Sequence, residues 1–334
     1  MFALQTRPVA GPVMNVNAIV LDQPQVITWN GQQVRTTHDR LLTLRNRLPS
    51  FHREPFVING ITNPSFDVIV EDGTDYPITT VSKSYGLMQH DTIFDKALES
   101  LDQLGFDIQS LHAEMALTTH GERMKISLTL PGYDFDPGDG CPLVLKMNLL
   151  NSVDKTTAVA VELEWLRLVC GNGMMYGIGS SGFRKAHFRG IDEEDIAEYL
   201  AISLRNVPQD RGLMGTWLDT PVTLGQTRQW VDGALAELWG DPSAARIWQI
   251  LRSGRDAKPE ILRGKDGEEP LAMPAHERPV MLLGDVPGAF APVKNAYHAA
   301  QALSWVAKEQ NNLGTRLRRV KEIPALMHGL LHGG

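Results

Sequence analysis

Apolar and polar residues alternate in the middle of the chain, as they do in a strand with one buried face and one exposed face. Between Arg123 and Leu130 the apolar residues occupy the even positions, and charged or hydroxyl side chains occupy the odd ones. The same period of two recurs further along, and turn signals at 120–121 and 151–155 separate the runs. Antiparallel strands are therefore predicted at 108–118, 123–130, 143–149 and 157–169.

Other local patterns predict a hairpin, two more strands and several helices. Residues 26–29 followed by Asn30-Gly31 are typical of a tight hairpin, and residues 66–70 and 76–88 are rich in residue types that favour strands. Elsewhere apolar residues recur every three or four positions, which indicates helices with one buried stripe. Helices are predicted at 36–48, 92–104, 191–205, 220–252 and 292–310.

The order of these elements predicts the fold class. No alternation of strand and helix continues along the chain, which argues against a parallel doubly wound sheet. We expect an α+β fold, in which a curved antiparallel sheet carries a helix packed on one face and a helical C-terminal region follows. The expected units are an N-terminal arm with a short basic helix (1–55), an α+β core (56–205) and a helical region (206–334) with a long loop at 253–290 and a loose tail at 328–334.

Composition narrows the class of protein. The chain has 334 residues, a formal net charge of -7 and two cysteines. A protein that holds nucleic acid by its overall charge would be basic, so any such contact must be made by a local groove. The two cysteines argue against a disulfide scaffold, and no segment has the run of apolar residues that a membrane span needs. We expect a soluble cytoplasmic protein without a membrane contact.

Motif searches give no clear catalytic signature. The glycine-rich loop 177–182 lacks the Gly-Lys-Ser/Thr ending of a phosphate-binding loop, so a turn is the favoured interpretation. Asp134, Asp136 and Asp139 could offer oxygen ligands to a hard cation, but their spacing differs from that of a calcium loop. An acidic hairpin loop is favoured there, and we expect neither a metal nor another cofactor.

A cationic and aromatic cluster follows the glycine-rich loop. Cations neutralise phosphates and aromatic rings stack on bases, which is the combination that binding of a single strand requires. A second basic cluster lies near the end of the chain, at Arg316, Arg318 and Arg319. The first cluster consists of Phe183, Arg184, Lys185, His187, Phe188 and Arg189.

The segment around Cys170-Gly171-Asn172 resembles a phage- and plasmid-borne family that is described only as a domain of unknown function. Members carry a strand that ends in a Cys-x-Asn turn, followed by a basic segment with a histidine, which His187 matches here. Tyr85 and Gln89 match the upstream Tyr-x-x-x-Gln segment, and the resemblance covers roughly residues 60–310. The family supplies no activity.

A second resemblance, which concerns the fold, does imply an activity. A helix packed on a curved antiparallel sheet with a basic groove is similar to the single-strand annealing recombinases of the Rad52 and Red-beta type. That resemblance implies a homo-oligomer, either a ring or a helical filament, which holds single-stranded DNA without a metal or a nucleotide. An oligomer with a basic inner groove would also reconcile DNA binding with an acidic net charge.

The leading hypothesis is a phage-type recombination protein in the cytoplasm of a bacterial host, without catalytic residues, which binds single-stranded DNA and promotes annealing. Two alternatives stay open. One is a metal-dependent nucleic-acid enzyme, with His187 as acid-base and Cys170 or the pair Asp134 and Asp136 assisting. The other is a non-catalytic phage protein that acts on a host protein. The DNA-binding residues of the leading hypothesis are Tyr85, Asn172, Phe183, Arg184, Lys185, His187, Phe188, Arg189, Arg316, Arg318 and Arg319.

Overall fold

The main sheet is antiparallel and curls into half a barrel, which confirms the predicted curved sheet. The computed structural model describes residues 28–167, 174–176, 183–185, 193–260 and 273–333. The strands of the main sheet are β1 (Thr28–Trp29), β2 (Gln32–Arg40), β6 (His112–Thr118), β7 (Arg123–Phe135), β8 (Leu143–Ser152), β9 (Val159–Arg167), β10 (Met174–Tyr176) and β11 (Phe183–Lys185). They follow the order β1-β2-β6-β7-β8-β9-β10, and β11 pairs with β9 next to β10.

A smaller sheet of three strands is separate from the main one. Its strands are β3 (Phe51–Ile58), β4 (Ile61–Glu71) and β5 (Tyr76–Ser82), in that order. The tight turn between β3 and β4 is Asn59-Gly60, and both residues adopt positive φ. Strand β5 pairs with β4 only from Phe66 onward, so the outer part of the β3–β4 ribbon extends beyond the third strand.

Helices follow and flank the two sheets. They are α1 (Leu41–Arg45), α2 (His90–Gln103), α3 (Glu193–Arg205), α4 (Val207–Asp219), α5 (Leu224–Trp230), α6 (Ala236–Trp239), α7 (Asp241–Ser253), α8 (Ala296–Lys308) and α9 (Leu313–His332). A π-helical turn, Val231–Leu235, joins α5 to α6, as such turns commonly interrupt longer helices. Within the described residues, no helix combines the length and the apolar character needed to cross a bilayer.

The apolar face of the main sheet forms the centre of the core. Met124, Ile126 and Leu128 are buried, as the alternation predicts, and α2 packs on this face through Phe94 and Leu101. The same continuous cluster takes in buried residues of α3 to α9. The C-terminal helices therefore share one core with the sheet instead of forming a second one.

The helix predicted at 36–48 is mostly wrong. Its first half belongs to β2, which pairs with β6 from Val34 opposite Thr118 to Arg40 opposite His112. Only Leu41–Arg45 is helical, and Leu41 and Leu44 are buried as the leucine spacing suggested. A long-range ladder of backbone hydrogen bonds overrides the local helical spacing of apolar residues here.

Two further predictions in the C-terminal half need correction. The expected loop at 253–290 contains β12 (Arg255–Pro259) and β13 (Val280–Asp285), which pair as an antiparallel ribbon. Charged residues and prolines in this segment favour a loop over a strand. The two strands also lie far apart in sequence, so no local hairpin signal indicates the ribbon. The expected loose tail at 328–334 belongs for the most part to α9, where Leu330 is buried in the core.

The turn before β7 offers a direct test of this packing. Gly121 has φ +67°, and a Cβ atom there would overlap the ring of Pro49, whereas Gly105 has φ +87° and open space around it. We expect Gly121→Ala to lower the free energy of unfolding by about 2–4 kcal/mol, because backbone strain and a steric clash add. Gly105→Ala should cost about 1 kcal/mol from strain alone. Equal losses in chemical denaturation would contradict the predicted clash.

Candidate nucleic-acid interface

The second face of the main sheet is polar, although much of it is covered. On this face Ser127 of β7 lies opposite Asn148 of β8, which lies opposite Glu162 of β9. The hydroxyl of Ser127 donates to Asn148 Oδ1 at 2.6 Å. Asn148 is fully buried, so this face is not a simple solvated surface. The polar side chains that share the face are Lys125, Ser127, Thr129, Lys146, Asn148, Glu162 and Glu164.

The first half of α9 contacts this polar face. Lys321 Nζ lies 2.6 Å from Glu162 Oε1. Leu317 packs against the small buried cluster of Trp29, Leu150 and Ala160, and so joins α9 to β1, β8 and β9. Polar and apolar contacts together fix the helix across the strands.

Cations gather where α8 ends and α9 begins. Burial lowers the pKa of Lys308, and the neighbouring charges of Arg316 and Lys146 act in the same direction. Burial also lowers the pKa of Arg316, whose Nε donates to the carbonyl of Gln310. Opposing carboxylates reduce the repulsion, since Glu309 and Glu114 raise both values. The end of the covered face is therefore a concentration of positive groups within an acidic protein.

Strand β11 brings three residues of the other predicted basic cluster to β9. Its backbone pairs Phe183 with Val161, Arg184 with Ala160 and Lys185 with Val159. Glu162, the partner of Lys321, is the next residue along β9. Two basic segments that are more than a hundred residues apart in sequence thus meet at one stretch of β9.

The three predicted arginines of α9 have different environments. Arg316 faces the end of α8, while Arg318 is exposed and donates to Glu322 Oε1 at 3.2 Å, one helical turn away. Arg319 is only 8% exposed and donates to Ser243 Oγ at 2.8 Å, with its guanidinium 4.8 Å from the ring centre of Trp239. Burial lowers the pKa of Arg319 to about 10. Arg319 therefore fastens α9 to α7 and is not available to a phosphate.

Tyr85 lies with the smaller sheet. Its ring packs against the cluster that contains Phe51, Ile69 and Val153, and its hydroxyl donates to the carbonyl of Val153 at 3.4 Å. Burial raises the pKa of Tyr85. The tyrosine thus braces the turn between β8 and β9, at the end of β9 that pairs with β11. Asn172, His187, Phe188, Arg189 and Cys170 lie outside the described residues.

The acidic loop after β7 organises its own backbone. Asp136 Oδ1 accepts from the N–H of Gly138 at 2.8 Å and of Gly140 at 3.2 Å, and Asp139 Oδ1 accepts from the N–H of Cys141 at 3.0 Å. Both carboxylates thus form turns of the kind that Asp side chains commonly make with their own backbone. In the part of the chain that the structure describes, no group of three or more His, Cys, Asp or Glu side chains could hold a metal ion.

Asp210 on α4 is a residue that the sequence patterns did not single out. Burial raises the pKa of Asp210 to about 6, although the neighbouring indole of Trp165 acts in the opposite direction. The next residue, Arg211, lies over the rings of Phe135 and Trp165, at 5.1 and 5.6 Å from their centres. Neither Asp210 nor Arg211 lies in a recognisable sequence motif. The apolar spacing of Met214 and Trp217, both buried, was the one signal that a helix lies here.

Comparison with known proteins gives one match. A sequence model for the family described as "Domain of unknown function (DUF932)" matches residues 77–254, which is more than half of the chain. The matched part includes β9 and β11 but ends before α8 and α9. No curated protein and no solved structure matches the chain.

Asp210 gives the protein a specific pH dependence. Its folded-state pKa of about 6 lies above the ordinary value of 3.8, so the stability it contributes is present at low pH and is lost as the pH rises through about 6. We expect Asp210→Asn to raise the free energy of unfolding by about 1–2 kcal/mol at about pH 7.5, and to have little effect near pH 4. Denaturant unfolding across this pH range measures the difference.

Asp219 is the matched control for this experiment. It lies at the exposed end of the same helix, so Asp219→Asn should change stability by less than about 0.5 kcal/mol at either pH. A stability difference for Asp210→Asn that does not vary with pH would show that burial does not act on this carboxyl as described.

Proposed function

The chain belongs to the DUF932 family, whose description assigns no activity, and we propose that it binds single-stranded DNA and promotes the annealing of complementary strands. The observation that carries the proposal is the meeting of α9 and β11 on β9. Binding to a phosphate chain needs several cations along one path, and two basic segments at one strand supply them. In this proposal the protein is a phage-type recombination protein that acts in the cytoplasm of a bacterial host.

The distribution of charge supports binding of DNA where α9 and β11 meet on β9, and not elsewhere on the protein. The net charge of -7 repels a nucleic acid from most of the surface, and a local basic path then selects where a strand can lie. Arg318 is exposed, Lys308 and Arg316 are half-buried where α8 ends and α9 begins, and β11 contributes Arg184 and Lys185 to the sequence of the path. Arg319 has no part in it, because its guanidinium is buried against Trp239.

Annealing follows from the kind of contact that cations make. Contacts to phosphates fix the position of a strand but read no sequence, so the base edges stay available to a complementary strand. The sequence of β11 adds Phe183, a residue type on which bases stack. No covalent chemistry is needed, and neither a metal nor a nucleotide takes part. In this proposal the curved antiparallel sheet with a helix on one face is taken as the counterpart of the sheet expected for an annealing recombinase.

Neutralising three cations of the path tests the proposal. We expect the triple substitution of Arg184, Lys185 and Arg318 by Gln to weaken binding of a labelled strand of about 30 nucleotides. The log–log salt dependence of the affinity should become shallower by about 2, since each phosphate contact on a single strand contributes about 0.7. Fluorescence anisotropy at several salt concentrations measures both quantities.

A matched triple variant controls for the change in net charge. Arg205, Arg228 and Arg252 are exposed on α3, α5 and α7, and replacing them by Gln should leave the salt dependence as it is in the wild type. Equal effects of the two triple variants would mean that DNA is held by net charge and not by this path.

An annealing assay with a chelator separates the function classes. The wild type should accelerate the pairing of two complementary strands equally well with and without EDTA, and the Arg184, Lys185 and Arg318 variant should not. Strand cleavage that EDTA abolishes would indicate the metal-dependent enzyme instead. Absence of any binding at low salt would favour the non-catalytic protein with a host-protein partner.

A further inference from the structure

The outer part of the β3–β4 ribbon is an apolar arm, which consists of residues 55–66. The sequence of this arm, PFVINGITNPSF, contains no charged residue. Val57, Ile58 and Ile61 near its tip are 48%, 58% and 76% exposed. Among the described strands, β5 reaches only the base of the arm, where Ser82 pairs with Phe66, so no third strand supports the tip. A two-stranded ribbon is marginally stable in water by itself, and exposed apolar side chains on it indicate a contact with another molecule.

The charges at the base of the arm argue for a protein partner and against a nucleic acid or an anionic membrane. Lys83 and Arg53 both pair with Asp67, and His52 lies 2.5 Å from Asp72, so these cations already have carboxylate partners. Carboxylates outnumber the lysine and arginine side chains at this base, which repels phosphate. The charged residues there are Arg53, Lys83, Lys155, Glu54, Asp67, Glu71 and Asp72.

A surface of matching chemistry lies on the same chain, at the β12–β13 ribbon. Met281, Leu282 and Leu283 are consecutive in β13, and all three are exposed. Successive side chains of a strand point to opposite faces, so the ribbon is open on both. The neighbouring strand β12 carries Arg255 and Lys258, both exposed. Arg255 Nε lies 3.7 Å from Asp285 Oδ1, so Lys258 is the residue of β12 that complements the acidic base of the arm.

We infer that the arm of one copy of this chain packs on β13 of a second copy. The tip of the arm buries its apolar side chains against Met281, Leu282 and Leu283, and Glu54 approaches Lys258 of β12. Pro55 and Pro64 remove N–H donors from both strands of the arm, so side chains and not added backbone hydrogen bonds make the contact.

The symmetry of the assembly follows from the two surfaces. The arm and β13 are different patches, so the contact is head-to-tail and repeats from copy to copy, which gives a closed ring or an open filament. The inference goes beyond DNA binding and holds without DNA. It also explains how one chain can expose two apolar ribbons, since each covers the other in the assembly.

Two variants of the full chain test the contact. The arm variant carries Val57→Thr, Ile58→Thr and Ile61→Thr, and the β13 variant carries Met281→Thr, Leu282→Thr and Leu283→Thr. Threonine keeps the strand preference while removing apolar surface, so both ribbons should persist. Sedimentation velocity without DNA should show an assembly larger than a dimer for the wild type and a monomer for each variant.

Mixing the two variants gives the decisive result. Each retains the surface that the other lacks, so an equimolar mixture should form a dimer with one intact contact and grow no further. As a control, Leu213→Thr, Leu224→Thr and Leu238→Thr remove comparable exposed side chains elsewhere, and the wild-type assembly should persist. The inference is overturned by a monomeric wild type, by variants that assemble like the wild type, or by a mixture that stays monomeric. Circular dichroism of each variant checks that it is folded.

Discussion

The polar second face of the main sheet is the constraint on which the arrangement of the C-terminal half depends. Charged and amide groups that leave water need partners, because an unpaired buried polar group costs stability. The described contacts supply several of them: Lys321 pairs with Glu162, Ser127 binds Asn148, and the buried guanidinium of Arg123 joins Asp154 to the carbonyl of Trp29. Helix α9 supplies one of these partners, because Lys321 reaches Glu162 on β9 while Leu317 packs beside Leu150 and Ala160.

Helical geometry divides the basic cluster of α9 between structure and the proposed function. Consecutive residues of a helix point in directions about 100° apart, so Arg318 and Arg319 cannot face the same surroundings. Arg319 is taken up by Trp239 and Ser243, and Arg318 is left to solvent. The number of like charges that cluster in a sequence therefore overestimates the number that a ligand can contact.

Sequence patterns predicted the parts of the fold that depend on local period. The alternation in β7 to β9 and the apolar stripe of α2 are both confirmed. The helix assigned to 36–48 and the loop assigned to 253–290 are wrong, because β2, β12 and β13 are specified by strands distant in sequence. The basic segments of the candidate site were visible in the sequence. Their meeting on β9 was not, since it depends on the register of β11 and on the path of α9.

The covering of the polar face by the end of the chain has a consequence for folding during synthesis. The N–H of Thr28 donates to the carbonyl of Asn311 at 2.9 Å. Strand β1 therefore completes its contacts only after a much later segment of the chain has been synthesised. On the apolar face α2 follows β5 directly and is made before β6, although α3 to α9 join the same core later. An apolar surface left bare on a nascent chain promotes aggregation, whereas a polar one stays hydrated. The polar face therefore tolerates its late covering by α9, and α2 gives part of the apolar face an early cover.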